Sequence, residues 1–180
     1  MTNEKTYRWE IDGDHTQVRF AVRHMVITVV QGVFRTTSGT MTADENGFPT
    51  DIHIEIDAST ISTDNYDRDM HLLSSAFFDV QAFPVISFQS TAIEKLNDER
   101  IRITGNLTVR NVTKSLTFEA EYGGTAVGLG GLTHVGYSIE MQISRFDVGL
   151  LWDEKMGDGT AIIAPDVKLD IECEFIRSEE

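Results

Sequence analysis

The chain has 180 residues, a hydrophobic fraction of 41% and a formal net charge of −14 at pH 7. That length suits one domain, and the hydrophobic fraction lies well outside the range of disordered chains. Because so acidic a chain repels phosphate backbones and anionic lipid surfaces, the charge argues against a nucleic-acid partner and against stable membrane insertion.

The two ends of the chain and its cysteine content predict the compartment. Residues 1–8 contain no apolar run followed by a cleavage site, so they do not resemble a signal peptide. Cys173 is the only cysteine, so an intrachain disulfide cannot form. We expect a soluble, cytoplasmic protein with a single domain over residues 7–177 and short tails at 1–6 and 178–180.

Apolar and polar residues alternate along most of the chain, which is typical of strands with one dry and one wet face. In chain order the alternating segments are 17–22, 51–57, 86–89, 100–103, 115–122, 135–144 and 166–175. The dipeptide Asn46-Gly47 is a strong hairpin signal because both residues tolerate positive φ. The glycine-rich segment 123–136 is expected to be a loop or a bulged strand.

One segment, residues 63–76, breaks the alternation. Asp64 is a plausible N-cap, and acidic residues crowd the first turn that would follow it. We therefore predict one short helix over about residues 65–75. The remaining pattern predicts an all-β fold, either a sandwich or a barrel. An eight-stranded antiparallel barrel can be filled by side chains or can hold one small ligand, and the pattern alone leaves that choice open.

The motifs of common enzymes and cofactor sites are absent from the sequence. There is no Gly-x-Ser-x-Gly elbow, no phosphate-binding loop and no pair of histidines at metal-ligand spacing. We therefore predict no cofactor, no metal and no catalytic residue. By parity His24 joins Phe20 and Val22 on the apolar face, where a lone histidine is usually a hydrogen-bonded structural residue.

Two arginines are candidates for contacting a polar headgroup. Arg68 and His71 share one face of the predicted helix. Arg68 could instead pair with Asp64, Asp69 or a nearby strand. Arg145 follows an apolar strand and could bind a headgroup near a barrel mouth, or it could pair with an acidic neighbour.

Several motifs, in this order, resemble the YceI-like family. The motifs are His15-Thr16, Val18-x-Phe20-x-Val22-Arg23-His24, Gly32-Val33-Phe34, Ser59-x-x-Ser62-Thr63, Arg68-Asp69-x-His71-Leu72, Phe77-Phe78-Asp79, Phe83-Pro84-x-Ile86-x-Phe88, Gly105-x-Leu107-Thr108-Val109, Val112-Thr113-Lys114 and 144–150. The resemblance spans about residues 7–176. It implies an eight-stranded, lipocalin-like antiparallel barrel with a short helix near one end, and a lumen that holds a polyisoprenoid or another long-chain amphiphile. Many relatives of the family carry an export signal, and we do not expect residues 1–8 to act as one.

The resemblance and the parity of the strands together predict the lumen. The residues expected on its wall are Phe20, Val22, Phe34, Ile54, Phe88, Leu107, Phe118, Tyr137 and Ile139. The headgroup candidates are Arg68, His71, Arg145 and His24. The predicted function is non-catalytic binding of a long-chain lipid or isoprenoid, and a homodimer is a mild expectation. Two alternatives are a filled barrel that acts through its surface and a histidine-dependent metal or acid–base enzyme.

Overall fold

A computed structural model describes residues 5–35 and 37–178. The predicted tails, 1–6 and 178–180, therefore fall largely outside the described residues. The strands are β1 (Tyr7–Ile11), β2 (Gln17–His24), β3 (Thr28–Phe34), β4 (Thr37–Ala43), β5 (Pro49–Asp57), β6 (Ile61–Ser62), β7 (Val85–Lys95), β8 (Arg100–Val109), β9 (Val112–Val127), β10 (Thr133–Ser144) and β11 (Ile163–Arg177). One α-helix, α1 (Tyr66–Leu73), and two 3-10 helices, Ala58–Thr60 and Arg145–Val148, complete the described elements.

The sheet closes on itself as a barrel. The strands pair antiparallel in the order β1-β4-β5-β7-β8-β9-β10-β11, and β11 pairs back with β1. Two strands share one position in this ring: β1 pairs with one part of β11, and β2 pairs with another part of it. β3 continues the barrel wall beside β2, because it pairs with β2 on one side and with β6 on the other. The predicted eight-stranded antiparallel barrel is confirmed.

The turns follow from local backbone chemistry. Between β4 and β5, Gly47 adopts a φ of 81°, and the Asp44 carboxylate accepts hydrogen bonds from the backbone N–H groups of Asn46 and Phe48. The glycine-rich segment is mostly strand, since β9 continues to Val127 and β10 begins at Thr133. The β9–β10 register shifts beside Gly136, so of the two expectations the bulged strand is the correct one.

Two clusters of buried apolar side chains occupy opposite ends of the barrel. The first includes Trp9, Met41 and Phe175, and we call its end the filled end. The second includes Val18, Phe34 and Val148, and Leu72 of α1 packs against it. We call that the helix end. Partly buried apolar residues of the strands, such as Ile54, Phe88 and Ile143, pack against the two clusters.

The predicted helix is present but shorter than expected, and its N-cap was assigned to the wrong residue. Asn65, not Asp64, caps α1, because the Asn65 side-chain oxygen accepts a hydrogen bond from the Arg68 backbone N–H at 3.0 Å. Asp64 instead has a positive φ of 57°, and its carboxylate faces Ser62 and Arg35. Ser74 ends the helix.

Transmembrane helices are not found among the described residues. α1 has 8 residues, and a helix needs about 20 apolar residues to cross a bilayer.

Met41 provides a test of the packing at the filled end. Its side chain is almost completely buried, at 1% exposure, so truncation leaves a cavity that the barrel wall cannot collapse into. We expect Met41→Ala to lower the free energy of unfolding in urea by about 2–5 kcal/mol. Met156→Ala, at a residue that is 42% exposed, is the control and should change it by less than about 0.5 kcal/mol. Equal effects of the two substitutions would contradict this account of the filled end.

Candidate functional site

An apolar cavity of about 580 Å³ lies inside the barrel. That volume falls within the range of roughly 300–1,000 Å³ typical of small-molecule sites. The structure places all of the predicted wall residues in its lining, namely Phe20, Val22, Phe34, Ile54, Phe88, Leu107, Phe118, Tyr137 and Ile139. The lining also includes all of the predicted headgroup candidates: Arg68, His71, Arg145 and His24.

Several lining residues are less buried than the residues of a packed core. Met41 and Ala43 at the filled end are almost fully buried, whereas inward-facing Phe20, Ile54 and Ile139 are only partly buried. Side chains that face one another across a filled interior would cover each other, as they do in a close-packed core. The alternative of a filled barrel predicted a lumen packed by side chains, and the cavity contradicts that expectation.

Glycine at position 32 is one reason that the cavity is open. Gly32 on β3 pairs directly with Phe20 on β2, and the Phe20 ring lies over the glycine. A Cβ at position 32 would come within 2.3 Å of the ring carbon Cζ. The Phe20 ring therefore lies along the barrel wall, in the space that a side chain at position 32 would occupy. A larger residue at position 32 would move the ring inward.

The mouth of the cavity lies at the helix end. Among the lining residues, Asp67, Arg68 and His71 of α1 are exposed to solvent. His71 makes edge-to-face contacts with Phe77 and Trp152, with ring centroids 5.1 and 5.4 Å apart. The mouth thus combines a few polar groups with an aromatic cluster.

Arg68 is held by Thr63 rather than by a carboxylate. Its Nε and Nη2 donate to the side-chain and backbone oxygens of Thr63, at 2.7 and 3.0 Å. The Thr63 hydroxyl in turn donates to Asp69, so the expected pairing of Arg68 with Asp69 occurs only through this threonine. Within residues 5–35 and 37–178, the Nη1 group of Arg68 makes no hydrogen bond, and it remains available at the mouth.

Arg145 is buried, and its side chain hydrogen-bonds backbone carbonyl oxygens. Its guanidinium donates to backbone carbonyl oxygens near both ends of the segment 150–164, namely those of Leu150, Trp152, Ile163 and Ala164. Its guanidinium also lies 4.2 Å from the centre of the Phe146 ring and 3.9 Å from Asp153. Burial lowers the pKa of Arg145, although an arginine remains protonated in proteins. With most of its donors engaged, Arg145 holds the mouth segment in place and offers little to a headgroup.

The polar groups of the lumen do not form an acid–base set. In the described part of the chain, neither His24 nor His71 hydrogen-bonds a carboxylate, so neither ring has the orienting partner of a typical general base. Deeper in the lumen, desolvation raises the pKa of the Tyr137 phenol to about 12 and that of the Cys173 thiol to about 12. Both groups therefore stay neutral at physiological pH.

Several lining residues were not predicted from the sequence. Thr16, Thr37 and Thr63 are buried polar residues of the lining, and Trp152 comes from the segment after the second 3-10 helix. No periodic signal marks these residues, because they lie at strand ends or in connections. For Phe77 and Trp152, aromatic character was the one feature of the sequence that could have indicated a place in the lining.

A closed antiparallel barrel with an apolar lumen open beside a short helix defines a lipocalin-like fold. The YceI-like domain model matches residues 9–175, and the chain belongs to that family. Protein YceI of Salmonella newport is 34% identical over 148 residues, which cover 82% of this chain and 77% of the relative. The solved Campylobacter jejuni YceI protein is 28% identical with a TM-score of 0.74, over 88% of this chain and 90% of the other.

A more distant structure extends the comparison of folds. It is a polyisoprenoid binding domain from Saccharophagus degradans implicated in plant cell wall breakdown. Its TM-score is 0.72 at 13% identity, over 97% of this chain and all of that one. At that identity the likeness supports the barrel fold alone.

The packing of Phe20 over Gly32 predicts a substitution that narrows the lumen. In Gly32→Ala the three atoms nearest to the added methyl group all belong to the Phe20 ring, so we expect the ring to turn inward. Excluding about two carbons of a bound chain forfeits ~1.6 kcal/mol, which weakens binding of a fluorescent long-chain fatty acid about tenfold.

Two further variants make that test specific. Adding Phe20→Ala to Gly32→Ala should restore binding, because the displaced ring is removed. Gly130→Ala is the matched control, since a Cβ there meets nothing within 4 Å. If the double variant binds as weakly as Gly32→Ala, the ring is not what closes the lumen.

Cys173 reports on the lumen through its raised pKa. Because the thiolate is the reactive species, iodoacetamide should modify Cys173 slowly at pH 7. The rate should rise about tenfold per pH unit up to about pH 10, since the pKa of about 12 lies well above that range. A rate that levels off near pH 8.5, as for free cysteine, would contradict the burial of the thiol. Cys173→Ser supplies the background rate.

Proposed function

We propose that this protein binds a long-chain apolar or amphiphilic molecule, a polyisoprenoid or a fatty-acid derivative, in the barrel lumen without changing it chemically. The observation that carries the proposal is the apolar cavity of about 580 Å³ with polar groups only at its mouth and a few wall positions. A site of this kind suits a flexible chain with one polar end.

Apolar burial alone is strong enough to hold such a ligand. Each buried chain carbon contributes roughly 0.8 kcal/mol, so about 20 carbons give a gross term near 16 kcal/mol. Association and ordering cost about 4–15 kcal/mol. The favourable binding free energy that remains requires no polar contact. The lumen would therefore select for the length and width of the chain more than for its chemical identity.

The mouth favours a neutral polar headgroup. Arg68 supplies a free N–H donor there, but Asp67 and Asp69 stand beside it on α1. These carboxylates and the net charge of −14 repel an anion. A carbonyl or hydroxyl oxygen can accept a hydrogen bond from Arg68 without that repulsion, and His71 and Trp152 offer flat faces to the first atoms of the chain.

One protein with the same fold indicates which ligand class to test first. The Saccharophagus degradans domain with this fold is described as polyisoprenoid-binding. Membership of the YceI-like family, together with an apolar lumen in this chain, makes an isoprenoid or a similar chain the ligand to test first.

A pair of tryptophan substitutions tests the lumen as the binding site. Ile139 on β10 points into the cavity, whereas the next residue along the strand, Glu140, lies on the outer face and is exposed. We expect Ile139→Trp to abolish measurable binding of a fluorescent long-chain fatty acid and of a short polyprenol, because the indole fills the lumen. Glu140→Trp should bind both probes like the parent chain.

The circular dichroism spectrum and the urea midpoint of each variant establish that the barrel is folded. If folded Ile139→Trp binds the probes as tightly as Glu140→Trp, the ligand site lies outside the lumen and the proposal is wrong.

A further inference from the structure

Three potential metal ligands meet on the outer wall near the filled end of the barrel. Asp12 and His15 lie in the connection between β1 and β2, and Glu174 lies on β11. Each offers one ligand atom, and these atoms all lie within 4.8 Å of one another. Glu174 alternates with the inward-facing Cys173 and Phe175, so the cluster is on the opposite side of the wall from the lumen.

The backbone holds these residues in position. The Asp12 N–H donates to the Glu174 carbonyl oxygen at 2.7 Å, and the Glu174 N–H donates to the buried Thr16 hydroxyl at 3.1 Å. The Asp12 Oδ1 atom accepts the Asp14 N–H, which leaves Oδ2 directed at His15 Nδ1, 2.9 Å away. The Asp12 side chain is only 14% exposed. The connection is therefore fixed to β11 before any ion binds.

A second histidine orients the glutamate. His134 Nδ1 lies 2.7 Å from Glu174 Oε1. Gly128 leaves room for the His134 ring, since a Cβ there would come within 2.7 Å of Nε2. Residues that hydrogen-bond a metal-binding side chain from behind fix its orientation and strengthen metal binding. Glu174 thus has one oxygen held by His134, and no described residue hydrogen-bonds the other.

We propose that Asp12, His15 and Glu174 bind a divalent transition-metal ion. One imidazole and two carboxylates suit zinc and related ions better than calcium or magnesium, which prefer all-oxygen sites. Three protein ligands leave a position for water. Because the ion would join the start of β2 to β11 outside the lumen, its binding is independent of the long-chain ligand.

Zinc chloride is the probe, titrated calorimetrically into untagged protein that has been dialysed against a chelator. We expect one ion per chain and a rise in Tm on addition of zinc, since an ion that binds only the folded state stabilises it. His134→Gln should weaken binding about 10–100-fold, and His15→Ala, which removes a ligand, by at least as much.

His53→Ala is the matched control. His53 is likewise a strand histidine beside a carboxylate, with Nε2 3.4 Å from Glu55, but the described residues place no third ligand near it. This variant should bind zinc like the parent chain. If His15→Ala binds zinc as tightly as the parent chain, or if His53→Ala loses as much affinity as His15→Ala, the cluster is not a metal site.

Discussion

The pairing of β1 with both β4 and β11 closes the sheet, and the lumen depends on that closure. The antiparallel ladders pair most backbone groups around the ring, so the wall keeps its shape without a core that fills it. Residues of both apolar clusters, among them Val18, Phe34 and Phe175, also line the cavity, so the same wall stabilises the fold and encloses the site.

The polar residues inside the protein divide into those that build the mouth and those that remain for a ligand. Arg145 fastens the segment after the second 3-10 helix through carbonyl oxygens, and Thr63 fastens Arg68 against the start of α1. Only part of the Arg68 guanidinium stays unused. A mouth built in this way can orient a polar end of a chain while contributing little to the total binding energy, which comes from the apolar wall.

Much of the fold was predictable because strand alternation is a strong signal. Parity placed Phe20, Ile54 and Ile139 on the inward face, and the break at residues 63–76 marked the helix. Tertiary contacts decided the rest. The preference for Asn65 over Asp64 as the N-cap depends on the backbone conformation at position 64, and the carbonyl partners of Arg145 come from a segment distant in space until the barrel forms. Parity could not distinguish a filled lumen from an open one, because both have apolar inward faces.

Native mass spectrometry of the purified protein, followed by organic extraction and lipid analysis, tests the lumen as a ligand site most directly. A barrel that binds a long chain should carry one small-molecule adduct per chain that is released on denaturation and recovered as a long-chain lipid or isoprenoid. A mass equal to that of the polypeptide alone, unchanged after incubation with polyprenols and fatty-acid derivatives, would contradict the binding function proposed for this cavity.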